Sequence, residues 1–172
     1  MVVVFVLLLL ILGAVVFQDF KSRAIDWYLP FLLMIGFFSY ALENSNIPIG
    51  DYAVIIAINS GFLLVQMLVL TIYFSLKASR WVNIIDKFIG LGDILVLVSF
   101  SFIFSPGNFI LFFTFSFFLA AFFTLIFTSV FGREKMRQIP LAGILCFQLA
   151  VVLVVDFTSV WSTFDELYQY FL

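Results

Sequence analysis

Long apolar runs separated by short polar intervals organise this chain. They extend over roughly Val2–Phe17, Tyr28–Leu42, Tyr52–Leu76, Phe88–Phe104, Phe109–Phe131 and Ile139–Val155. Crossing a bilayer as a helix takes about 20 apolar residues, with about 17 near the lower limit. The pattern therefore predicts an all-α polytopic bundle of about six transmembrane helices. The first, second, fourth and sixth runs are short, which predicts little tilt or a locally thinned bilayer. Ser105-Pro106-Gly107-Asn108 reads as a tight turn that joins the fourth and fifth runs into a hairpin. The opening run has no basic residue before it and no small-x-small site ahead of Gln18-Asp19, so it reads as a retained helix, not a cleaved signal peptide.

The cations give these runs a direction. Lys21 and Arg23 follow the first run, Lys77, Arg80 and Lys87 the third, and Arg133, Lys135 and Arg137 the fifth; these are all eight Lys and Arg of the chain. The intervals after the second and fourth runs carry none, and neither does the tail; Glu43, Asp51, Asp165 and Glu166 lie there. The positive-inside rule then puts three loops in the cytoplasm and both termini outside. With that orientation Asp19 and Asp93 fall at the same depth, near the cytoplasmic face.

Composition agrees with the pattern. The chain is 65% hydrophobic and 10% charged with a mean hydropathy of +1.27, against about 25% charged residues in soluble domains. A single transmembrane domain over residues 1–172 is expected, with no separate soluble domain. The 26 Phe side chains suit faces turned to lipid or to neighbouring helices. Cys146 is the only cysteine, which excludes a disulfide or a thiol metal site and leaves it a small buried apolar residue. Histidine is absent, which excludes HExxH zinc chemistry and any Ser-His or Cys-His dyad. Neither a metal nor a cofactor is expected.

What chemistry remains belongs to carboxylates. A charged side chain at mid-bilayer costs about 2.5–3.5 kcal/mol on insertion scales, so acids at the ends of apolar runs call for a use. Gly90-Leu91-Gly92-Asp93 places one acid about a turn inside the fourth run, and Asp19 ends the first. Two carboxylates a few ångströms apart share a proton. The ionised partner can take a proton from water while the protonated one polarises a peptide carbonyl, which is aspartyl protease chemistry. Gly90 and Gly92 lack a Cβ and would let a helix or an extended substrate approach. A plainer reading stands beside this one. Asp93 near a helix N-terminus is favourable in any protein, and Asp19 beside Lys21 and Arg23 could be a solvated loop acid. Asp26, Asp86 and Glu134 sit in the cytoplasmic intervals, solvated or paired with cations.

Three patches resemble the type IV prepilin peptidase family, including its archaeal preflagellin peptidase branch. Asp19-Phe20-Lys21-Ser22-Arg23-Ala24-Ile25 is similar to that family's Asp, a basic residue four positions on, then an aliphatic one. Gly90-Leu91-Gly92-Asp93 has the form of the family's GxGD motif. Arg137-Gln138-Ile139-Pro140-Leu141-Ala142 is similar to the Ile-Pro-small stretch that opens its last span. Order, spacing and orientation match the short members without a soluble insert.

The resemblance implies a multi-pass aspartic endopeptidase of a prokaryotic cell membrane. It would cut the short basic leader of prepilin-like precursors after a glycine, at the cytoplasmic face, with Asp19 and Asp93 as the catalytic pair and Gly90 and Gly92 shaping the site. The acids Asp26, Asp86 and Glu134 could attract the leader, in competition with anionic lipid. The implied partners are the precursors and the bilayer, with no nucleic acid. The chain departs from the family in three places. Leu95 stands where a Lys usually follows the GxGD aspartate, Asp26 stands where a Pro usually follows Ile25, and the CxxC-bearing insert is missing, so no N-methyltransferase activity is expected.

Other readings stay open on the sequence. The chain could be a non-enzymatic or degenerate relative that helps assemble a pilus-like system. A small transporter would hold its acids at mid-membrane rather than near one face. A presenilin-like protease shares GxGD but carries its other aspartate in a Tyr-Asp pair, where this chain has Gln18-Asp19. Ser75 and Lys77, two apart on a helix, do not face each other and make a poor hydrolase pair.

Overall fold

The computed structural model describes residues 2–44, 47–81, 83, 85, 89–131 and 141–158. Among the described residues six helices follow one another: α1 (Val2–Ser22), α2 (Tyr28–Asn44), α3 (Ile49–Ala78), α4 (Leu91–Phe100), α5 (Pro106–Phe131) and α6 (Leu141–Phe157). Among the described residues the regular structure is helical throughout, apart from an isolated bridge between Ile85 and Ile89. Three helices are long and apolar enough to cross a membrane: α1, α3 and the Pro106–Ile126 part of α5. The others are shorter apolar helices, so length alone supports three crossings where the hydrophobic pattern predicts six.

The fourth apolar run departs most from expectation. In place of one helix over Phe88–Phe104, α4 has 10 residues and a length of about 15 Å. Gly90, extended at φ −67° and ψ 147°, starts it. At the other end the bonds shorten to i→i+3: Ser101 N–H to Val98, Phe102 N–H to Ser99 and Ile103 N–H to Phe100. Such 3₁₀-type turns tighten a helix and end it. Ser99 adds to the effect, its hydroxyl bonding the Val96 carbonyl at 2.6 Å.

The carbonyls freed by this unwinding find donors on α3. Asn59 Nδ2 donates to Ser101 O at 3.2 Å and to Phe104 O at 2.8 Å, and the Tyr52 hydroxyl donates to Phe102 O. Backbone that leaves a helix inside an apolar bundle needs partners of this kind. The turn expected at Ser105–Asn108 is displaced toward the N-terminus. Pro106 opens α5, where its missing N–H costs nothing, and Phe109 N–H bonds the Ser105 carbonyl at 2.8 Å.

Four helices form the centre. α1 packs on α2 and α6, and α4 packs on α2 and α6 in turn, while α3 and α5 flank them. The buried face of α1 runs Phe5, Leu8, Leu12, Val15 and Asp19, in steps of three and four, so an acid occupies the last place of an apolar seam. From α6 the seam receives Ala142, Leu145, Cys146, Leu149 and Leu153. Gly36 of α2 admits the Leu8 side chain, whose Cδ2 lies 2.7 Å from where a Cβ would stand. Away from the site Tyr40 donates to Asp156 Oδ2 at 2.7 Å and ties α2 to α6. Exposed Phe115, Phe118 and Phe122 on α5, with Leu64, Val65 and Leu68 on α3, give these two helices apolar outer faces.

Candidate functional site

The α1 seam explains why Asp19 points inward. Four buried apolar residues, Phe5, Leu8, Leu12 and Val15, fix the rotation of the helix, and the next place on that face is Asp19, only 5% exposed. It ends at the first turn of α6, where Gly143 N–H donates to Asp19 Oδ2 at 2.6 Å. The first backbone amides of a helix have no partner inside it and carry the positive end of its dipole. A carboxylate is a natural occupant of that position.

Gly143 makes the contact possible. A Cβ there would stand 3.1 Å from Asp19 Oδ2 and 3.0 Å from two atoms of the Phe20 ring. Glycine is thus favoured here by a close approach to two side chains and not by backbone conformation.

Asp93 comes to the same place from α4. It is the third residue of that helix and reaches back to the Gly90 N–H at 3.3 Å, one half of a capping box. Its carboxylate also faces the Ala142 backbone amide and interacts electrostatically with Asp19. The Gly143 amide is thus bonded to Asp19, and the neighbouring Ala142 amide lies near enough to act on the Asp93 carboxylate. Cys146 is fully buried one turn further along α6, and its thiol lies within electrostatic reach of both acids.

Gly92 packs against the loop between α1 and α2. A Cβ on it would lie 3.2 Å from Ile25 Cβ, and one on Gly90 would lie 3.3 Å from Asp93 Oδ2. Both glycines border the acid pair. Asp26, expected to help attract a basic leader, has its carboxylate engaged by Gln18 Nε2 at 2.7 Å and by the Tyr28 hydroxyl at 3.0 Å. Asp86 and Glu134 lie outside the described residues, as do Arg137–Pro140 of the third patch. Leu95, in the place of the family's Lys, is half-buried in α4.

Two contributors escaped the sequence reading. Gly143 lies one residue beyond the third patch, and Pro140 ahead of it signals a helix start, hence unpartnered amides at the positions that follow. Gln18 carried no signal, because its role depends on the path of the following loop. Among the described residues, no three His, Cys, Asp or Glu lie together as metal ligands would. No family model matches the chain, and comparisons with curated proteins and with solved structures found no match.

Proposed function

We propose that this chain is a membrane-embedded aspartic endopeptidase that removes the short basic leader of type IV prepilin-like precursors at the cytoplasmic membrane face. One observation carries the reading: Asp19 and Asp93, far apart in sequence, meet at the first turn of α6. In this reading all six helices cross or line the membrane with both termini outside, as the cation distribution requires. The two carboxylates share one proton. The ionised one takes a proton from a water held between them, and that water attacks the scissile carbonyl. The protonated one donates to the carbonyl oxygen. The tetrahedral adduct then collapses with cleavage of its C–N bond, the proton taken from water passing to the leaving amine and the adduct returning a proton to the pair. The Gly143 and Gly90 amides hold Asp19 and Asp93 in place, so that little reorganisation accompanies the proton transfer.

A second reading draws on the same bond. A carboxylate fixed at 2.6 Å by Gly143 also suits a purely structural link between α1 and α6, as in a non-enzymatic assembly component of a pilus-like system. Asn separates the two, because it can still accept the amide bond but cannot transfer the proton. The test is cleavage of a prepilin-type precursor in membranes containing wild type, Asp19→Asn or Asp93→Asn. Cleavage by wild type and a fall of about 10²–10⁴-fold in each variant, at equal expression, is the expected result. A folded wild type that cuts none of several glycine-containing leaders would favour the assembly component.

A further inference from the structure

The loop between α1 and α2 is closed on itself by a two-point contact. Gln18 Nε2 donates to Asp26 Oδ2 at 2.7 Å, and Asp26 N–H donates back to Gln18 Oε1 at 3.1 Å. The Tyr28 hydroxyl adds a third bond to the same Asp26 oxygen at 3.0 Å. Inside the closed loop, Ser22 Oγ bonds the Gln18 carbonyl at 2.9 Å, and Arg23 adopts φ 53°. That left-handed conformation disfavours any residue with a Cβ, so the loop needs side-chain contacts to hold it.

The position of the loop gives these contacts their meaning. Gln18 immediately precedes Asp19. At the other end Ile25 rests against Gly92, which immediately precedes Asp93. The loop therefore grips the backbone beside each aspartate. We propose that Gln18 and Asp26 form a clamp that positions Asp19 against Asp93 by docking Ile25 on Gly92. The catalytic consequence rests on the endopeptidase reading, while the docking itself does not. Both partners are positioning residues, since neither is placed on the reacting atoms. Asp26 is exposed, so its loss loosens the loop without unfolding the bundle.

The experiment has two arms. In the first, Ile25→Cys and Gly92→Cys are introduced together and oxidised, and the intrachain disulfide is read by thiol mass-tagging. The would-be Cβ separation of 3.2 Å is close to disulfide reach, and Cys146 is buried. Adding Asp26→Ala is expected to slow cross-linking by about tenfold or more, whereas adding Asp26→Asn, whose side-chain oxygen still accepts both bonds, leaves it fast. In the second arm the precursor is cleaved by the single variants. Asp26→Ala and Gln18→Ala are each expected to lower kcat on the order of 100-fold at unchanged KM, the double variant losing no more than either alone. Asp26→Asn retains activity.

Cross-linking as fast with Asp26→Ala as without it would overturn the clamp. So would an Asp26→Asn variant that fails through a raised KM, because charge and not position would then be what Asp26 supplies. If wild type cleaves nothing while cross-linking still depends on Asp26, the clamp stands and the endopeptidase reading falls.

Discussion

Gly143 N–H donates to Asp19 Oδ2 at 2.6 Å across 124 positions of sequence. The bond joins the last helix to the first at the point where the second acid also arrives. Gly143→Ala would put a methyl group 3.1 Å from that oxygen and 3.0 Å from the Phe20 ring. Such overpacking typically costs about 1–3 kcal/mol, and, on the endopeptidase reading, a displacement of Asp19 would lower cleavage on the order of 100-fold. Phe20 is exposed, so Phe20→Ala added to Gly143→Ala should recover thermal stability but little activity. Unfolding temperatures and cleavage rates for the single and the double variant check this.

Asn59 is 1% exposed and answers two carbonyls of the unwound segment after α4. Asn59→Ala leaves both without that donor and is expected to destabilise by about 1–3 kcal/mol. Tyr52→Phe removes one bond, to Phe102 O, and should cost about 1 kcal/mol. Detergent unfolding titrations of the two variants give the ranking, and an Asn59→Ala protein as stable as wild type would contradict the role assigned to α3.

Close packing of α1 on α2 depends on Gly36 meeting Leu8. Gly36→Ala alone should destabilise by about 1–3 kcal/mol. Leu8→Ala alone should cost about 2–5 kcal/mol. Together they should cost less than their sum, because the truncated Leu8 makes room for the added methyl. A double-mutant cycle measures that coupling.

Ser79 closes α3 in a left-handed conformation at φ 50°, with its N–H on Leu76 O and the Arg80 N–H on Ser75 O. Ser79→Gly removes the Cβ penalty there and is expected to stabilise by about 0.4–1 kcal/mol, visible as a higher unfolding temperature with activity unchanged.

The sequence made the helical class legible because runs of apolar residues leave few alternatives. Asp19 and Asp93 stood out for the same reason, being acids beside hydrocarbon-like segments. The end of α4 did not stand out. Ser99, Ser101 and Ser105 are too apolar in context to break a hydropathy pattern, yet the Ser99 hydroxyl and the backbone of all three take part in the unwinding. The buried face of each helix was hidden as well. In a soluble helix polar residues mark the outer side, whereas here inner Leu12 and outer Leu10 are the same residue type. Only the tertiary partner tells them apart. Gly143 and Gln18 act through residues remote in sequence or across a loop, and no local pattern records that.

The brevity of α4 also bears on how the chain enters a membrane. A helix of 10 residues offers too little apolar length to partition as a span by itself, since about 17 residues is the practical minimum. The backbone that follows it would meet hydrocarbon with bare carbonyls unless Tyr52 and Asn59 were already in place. Both donors belong to α3, which leaves the ribosome earlier. On the six-span reading, biogenesis then has an order built into it: α3 is laid down first as a template, and the α4–α5 hairpin settles against it afterwards. Weakening that template would be felt as lost yield of inserted protein before any effect on the acid pair could be measured.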